Sequence, residues 1–266
     1  MEFVDTHCHI HFPDYELDPE EVITSATEAG VMRLICVGCT LPDSKLAVKM
    51  AAQHDNIWAS IGLHPHEGSE YVHDDIALQQ FHDLASKPKV VAIGETGLDY
   101  YYNHSTKEDQ QKLLRFQLDM AVEHDLPVIF HLRGAKDDEN QVYDDFFALY
   151  GQYKGLRGVI HSFSTNRRVL DKILEYGLYV GLNGIMTFSK NADQLAAAKA
   201  IPLEKLLLET DAPFLTPAPH RGKICEPKYV GVTAEFLAKL RGESLANLAA
   251  ATTANAQGLF KLTEAK

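Results

Sequence analysis

Thirteen histidines are spread along this chain of 266 residues. Two of them stand one residue apart at the close of a short apolar run, Phe3-Val4-Asp5-Thr6-His7-Cys8-His9. On an extended backbone the side chains at i and i+2 leave by the same face, so His7 and His9 offer their imidazoles to one ion. Alone, such a pair is more often a surface or hydrogen-bonded core pair. Glu95, His131, His161 and Asp211 repeat its placement, each standing where an apolar run stops. Singly, each histidine reads as a core hydrogen-bonding group, Glu95 as half of an ion pair and Asp211 as the cap of a turn before Pro213. All six structural readings would have to hold together, which favours a metal site. Four histidines and two carboxylates are donors suited to two divalent ions, one carboxylate bridging and water completing each shell.

Residues so far apart need a scaffold that gathers strand ends, and the chain reads as one. Apolar, β-branched-rich runs predict strands at about Glu2 to Thr6, Val31 to Val37, Ile57 to Leu63, Val90 to Gly94, Pro127 to Phe130, Gly158 to Ile160, Leu178 to Leu182 and Leu206 to Leu208. Segments with helical periodicity lie between them. Asp18-Pro19-Glu20-Glu21 opens the first helix and Gly30 closes it, and Ser105-x-x-Glu108 reads as a capping box for a later one. Further helices are expected near Pro42 to Gln53, Asp74 to Ser86, Glu139 to Tyr150, Arg167 to Glu175, Ala192 to Ala200, Tyr229 to Arg241 and Leu245 to Phe260. Eight alternating units with near-continuous apolar strands predict α/β architecture, a single (β/α)8 TIM barrel over residues 1–266 with an additional C-terminal helix. In such a barrel the C-terminal ends of the strands meet at one mouth, where the chemistry resides. A doubly wound open sheet is disfavoured, because His7-Cys8-His9 stands where its glycine-rich nucleotide turn would be.

Composition narrows the class further. Hydrophobic residues make up 45% and charged residues 23%, the balance of a soluble globular protein. A formal charge of −12 argues against a broad electrostatic grip on nucleic acid, so an anionic partner would be held locally. Two divalent ions outweigh two carboxylates and make the proposed site itself attractive to phosphate. Arg133, Arg221 and Lys223 are candidates for additional local positive charge. No apolar run approaches the ~20 residues of a membrane span, and no signal-peptide pattern opens the sequence, so a cytoplasmic location away from membranes is expected. Four scattered cysteines do not make a disulfide framework, and Cys36-Val37-Gly38-Cys39 reads as strand-end packing. A monomer is a plausible state.

The residues also carry a family resemblance. The opening run, Gly62-Leu63-His64-Pro65, Gly94-Glu95-Thr96-Gly97-Leu98-Asp99-Tyr100, Pro127-Val128-Ile129-Phe130-His131-Leu132-Arg133, Val159-Ile160-His161-Ser162-Phe163 and Leu207-Leu208-Glu209-Thr210-Asp211-Ala212-Pro213 follow one another as in TatD-type metal-dependent hydrolases. These are deoxyribonucleases on a TIM-barrel scaffold related to the amidohydrolases. The resemblance implies that His7, His9 and Asp211 hold one ion, that His131 and His161 hold the other, and that Glu95 bridges. It places His64, Asp99 and Arg133 around the substrate, and Pro219-His220-Arg221-Gly222-Lys223 resembles a loop of one branch. His11, Ser162 and Cys225 depart from the usual residues, and none of them is a proposed ligand.

The expected activity is hydrolysis of phosphodiester bonds in single-stranded DNA by water activated between two divalent ions, Zn2+, Mg2+ or Mn2+. Asp211 would accept the proton, and the ions with Arg133 would stabilise the developing charge. The alternatives are amidohydrolase-type cleavage of a C–N or ester bond, including deacylation of an aminoacyl nucleic acid, and a non-catalytic metal-stabilised binding protein.

Overall fold

Strands buried on both faces need cover on both sides, and here every strand is followed by helix. The computed structural model describes residues 1–102 and 104–262. In chain order the elements are β1 (Phe3–Cys8), α1 (Pro19–Glu28), β2 (Val31–Val37), α2 (Leu41–Gln53), β3 (Ile57–Ile61), α3 (Gly68–Tyr71), α4 (Asp75–Leu84), β4 (Val90–Asp99) and α5 (Lys107–Glu123). They continue as β5 (Val128–Arg133), α6 (Gln141–Tyr150), β6 (Gly158–Ile160), α7 (Arg167–Glu175), β7 (Tyr179–Leu182), α8 (Ala192–Ala200), β8 (Leu206–Leu208), α9 (Val230–Arg241) and α10 (Leu245–Phe260). The eight strands form one sheet in the order β1 to β8. With parallel pairing and alternating helices this is the (β/α)8 barrel expected from the sequence, with α10 as the additional C-terminal helix. Among the described residues no helix is long and apolar enough to cross a membrane.

Contacts group the chain into two units. The first comprises Met1–Cys36, His54–Ile57 and the chain from His161 onward. In it β7 pairs with β8, and α10 packs on β1 and β8. The link between the first and last strands continues past their ends: the Asp211 N–H donates to the His7 carbonyl at 2.8 Å and the His9 N–H to the Ala212 carbonyl at 2.7 Å. The second unit comprises Val37–Gln53 and Trp58–Ile160. Here β4 lies between β3 and β5, and α5 covers β4. Phe130 packs edge-on against Phe146 at 4.8 Å between ring centroids, joining β5 to α6.

Three expectations are corrected. Glu95 and His131 do not close their strands, because β4 runs on to Asp99 and β5 to Arg133. The apolar run stops at the first polar side chain, but backbone pairing carries on through Gly97↔His131, Leu98↔Leu132 and Asp99↔Arg133. The capping box shifts by one residue: Thr106 caps α5 by accepting from the Asp109 N–H at 3.1 Å. Ser105 is engaged elsewhere, donating to the His66 carbonyl at 2.6 Å and accepting from the Ser69 N–H at 3.0 Å. Cys8, Cys36 and Cys225 are buried, as strand-end packing requires of Cys36.

Candidate metal centre

The first donor set is built by β1 and the segment after β8. His7 and His9 bring their Nε2 atoms to 3.1 Å of each other, and Asp211 Oδ1 stands 3.6 and 3.4 Å from them. Asp5, wholly buried two residues before His7, ties the two segments together. Its carboxylate accepts from the Thr210 N–H at 2.9 Å and the Thr210 hydroxyl at 2.5 Å. Burial pushes the Asp5 carboxyl up to about 8, against the Thr210 hydrogen bonds that favour its ionised form. Asp211 sits at φ 63, a left-handed backbone that aspartate adopts more readily than most residues.

His161, after β6, lays its ring on His7 with centroids 3.9 Å apart and planes 14° from parallel. Its Nδ1 lies 3.3 Å from Glu209 Oε1, which also accepts from the Ser162 N–H at 2.7 Å. A Cβ on Gly181 would overlap Glu209 Oε2, so that glycine makes room for the buried carboxylate. Glu209 thereby orients His161 in the way a carboxylate behind a ligating histidine does.

The second set is built by β4, β5 and the loop after β3. Glu95 Oε1 lies 2.7 Å from His131 Nδ1 and 3.5 Å from His64 Nε2. The opposite nitrogen of His131, Nε2, lies 3.1 Å from Asp99 Oδ2, and His66 Nε2 reaches the same oxygen at 3.1 Å. Close approach of β4 and β5 depends on Gly97, at φ 149, where a Cβ would overlap the His131 carbonyl.

The charges follow from these partners. Burial would raise Asp99, but hydrogen bonds from His131 and His66 hold its carboxyl well below the ordinary carboxylate range. Burial opposes ionisation of Asp211 as well, and the hydrogen bond from His9 with the charges of His7 and His161 brings it below its usual value. His64 is pushed down to about 4 by burial and by His131, despite the neighbouring Glu95. It therefore stays neutral near pH 7, with its Nδ1 accepting from the His66 N–H at 3.2 Å.

Both sets fit a divalent cation. Two imidazole Nε2 atoms facing each other at 3.1 Å repel unless a proton or a cation lies between them, and a carboxylate oxygen completes the group. In each of the sets His7–His9–Asp211 and His64–Glu95–His131 the donor atoms lie within 4.8 Å of one another. The mixed nitrogen and oxygen donors suit zinc and manganese, and the carboxylates suit magnesium.

Of the remaining sequence candidates, the Arg133 guanidinium lies over the Tyr101 and Tyr102 rings at 4.3 and 4.7 Å. Arg221 and Lys223 line a cleft of about 240 Å3 with Phe188, Pro213 and Thr216, and Arg221 covers the Phe188 ring at 3.8 Å. Sequence reasoning did not single out Asp5, Glu209 or His66. A signal existed for two of them: Asp5 is an acidic residue inside an apolar strand run and Glu209 directly follows one, positions where a buried charge has to be partnered.

Known proteins resemble the chain over nearly its whole length. The family model described as TatD related DNase matches residues 4–261. The metal-dependent hydrolase YabD of Bacillus subtilis (strain 168) is 36% identical, with 97% of this chain and 98% of that protein covered. The 3'-5' ssDNA/RNA exonuclease TatD of Klebsiella pneumoniae (strain 342) is 35% identical over 92% of this chain and 93% of its own. The crystal structure of the TatD homolog YJJV from Escherichia coli k12 superposes with a TM-score of 0.87 at 30% identity, covering 97% of this chain and 98% of that one. The chain belongs to the TatD-related DNase family of metal-dependent hydrolases.

Proposed function

We propose that this protein is a nuclease that hydrolyses phosphodiester bonds of single-stranded DNA, using two divalent ions drawn from Zn2+, Mg2+ and Mn2+. The observation that carries the reading is the convergence of His7 Nε2, His9 Nε2 and Asp211 Oδ1, donors of the right type gathered by residues from opposite ends of the chain. In this reading His7, His9 and Asp211 hold one ion, His131 and His161 the other, and Glu95 serves both. Relatives that include a 3'-5' ssDNA/RNA exonuclease support the substrate class.

When bound, the ions would polarise the phosphoryl group and lower the pKa of water at the centre towards about 7. Asp211, kept ionised by its histidine neighbours, receives the proton that water gives up as it attacks phosphorus. Asp99 holds His131 in one orientation from behind. Arg133, Arg221 and Lys223 supply fixed positive charge for the phosphates on either side, and neutral His64 offers a hydrogen bond rather than a charge.

Metal content by elemental analysis, paired with nucleotide release from single-stranded DNA and RNA in zinc, magnesium or manganese, tests the reading. Two ions per chain and release abolished by a chelator are expected. If no metal supports nucleotide release while small amides are cleaved, the chemistry is C–N hydrolysis instead.

A further inference from the structure

A chain with a net charge of −12 has to hold a polyanion locally, and one place combines cations with an exposed aromatic ring. Just beyond β4, Tyr101 and Tyr102 stand edge to face at 4.8 Å. The Arg133 guanidinium covers both rings, and Lys136 Nζ lies over Tyr101 at 5.0 Å. The Tyr102 ring stacks with His104 at 5.7 Å and 20° and is itself 49% exposed. Half-exposed aromatic rings beside Arg and Lys are the elements from which single strands are gripped, a base stacking on the ring while the backbone runs along the cations.

Its placement is fixed by a buried carboxylate. Asp99 Oδ1 accepts from the Tyr101 and Tyr102 N–H groups at 2.9 and 3.1 Å, whereas Oδ2 takes His131 Nε2 and His66 Nε2, both at 3.1 Å. One fully buried side chain therefore sets the tyrosine turn with one oxygen and a candidate metal ligand with the other. A base resting on this turn is held at a fixed offset from His131.

We propose that Tyr102, with Arg133 and Lys136, forms a subsite for a nucleotide flanking the scissile phosphate, the base stacking on the Tyr102 ring and the phosphate lying against the two cations. The proposal rests on the nuclease reading above. It makes the enzyme selective for unpaired strands, because a base inside a duplex has no free face to offer. Tyr102 touches the substrate away from the reacting atoms, so its contribution falls on binding.

The test compares Tyr102→Ala and Tyr102→Phe on a single-stranded oligothymidylate and on bis(p-nitrophenyl) phosphate, a phosphodiester without a base. Stacking on one ring is worth about tenfold in binding. For Tyr102→Ala the oligothymidylate KM should rise by about that factor with little change in kcat, and Tyr102→Phe should restore it. An unchanged oligothymidylate KM overturns the subsite. So does an equal fall on both substrates, which would mark Tyr102 as structural support for Asp99. Anisotropy of a labelled oligothymidylate with chelator-treated protein measures the same binding without turnover. Failure of the nuclease reading, with neither substrate cleaved, is thus told apart from failure of the subsite, in which the alanine variant binds as tightly as the wild type.

Discussion

The donor set of β1 and β8 and that of β4 and β5 use the same side-chain types in opposite states of preparation. In the first, two Nε2 atoms face each other at 3.1 Å with Asp211 Oδ1 at 3.6 and 3.4 Å from them, an arrangement whose repulsion a cation relieves. In the second, His131 is held at both ring nitrogens, by Glu95 at 2.7 Å and by Asp99 at 3.1 Å. The first set is a vise set by backbone bonds between chain ends, and the second is a histidine oriented beforehand by two acids. Losing a donor should therefore cost most in the first set, where a cation relieves the repulsion between the donors, and losing a bracing residue should matter in both.

The largest effect is expected for Asp211→Asn, which removes both a donor and the proposed proton acceptor. We expect kcat on single-stranded DNA to fall about a thousandfold. A residual rate within tenfold of wild type would move the base to another residue. Glu95→Gln should follow at about a hundredfold, together with loss of one ion in elemental analysis. Retention of two ions in that variant would count against a shared role for Glu95. Next come Asp5→Asn and Glu209→Gln, which touch no proposed ion. Each should weaken metal affinity by between about tenfold and a hundredfold in a competition titration, because Asp5 fixes Thr210 beside Asp211 and Glu209 fixes His161.

What the sequence revealed, and what it hid, follows the same division. The strand alternation was legible because parallel strands buried on both faces must be apolar throughout, and the eight strands lie within a few residues of the runs that predicted them. Strand ends were less legible at Glu95 and His131. Pairing is a property of the backbone and continues beneath polar side chains once a neighbour such as Gly97 allows close approach. The pairing of Asp5 was hidden for a different reason: its partner Thr210 lies 205 residues away, and only closure of the sheet reveals the pair. His66 stands in a single-turn 3-10 helix and Tyr102 in a turn, segments too short for periodicity to report which way a side chain faces. His11 is buried with no hydrogen-bond partner at either ring nitrogen among the described residues, and burial pushes its basicity down.

The smallest expected effect, and the one that separates the two sets most cleanly, is the response of the metal-free chain to acid. His64 titrates near 6.5 when unfolded and about 4 when folded. Between these values the unfolded chain binds a proton that the folded chain refuses, so stability is full above about pH 6.5 and declines as the pH falls towards 4. Linkage sets an upper bound of about 3 kcal/mol on this loss. Asp211 behaves differently: its folded carboxyl is depressed, so the stability it contributes is present above its unfolded value of 3.8 and is lost only below that. Denaturant midpoints of chelator-treated protein should therefore show His64→Asn losing less stability than wild type between about pH 6.5 and pH 4, whereas Asp211→Asn should differ from wild type in slope only at lower pH. If both variants flatten the profile over the same interval, the two sets titrate as one coupled system, and the contrast drawn between a cation-dependent vise and a self-braced histidine fails.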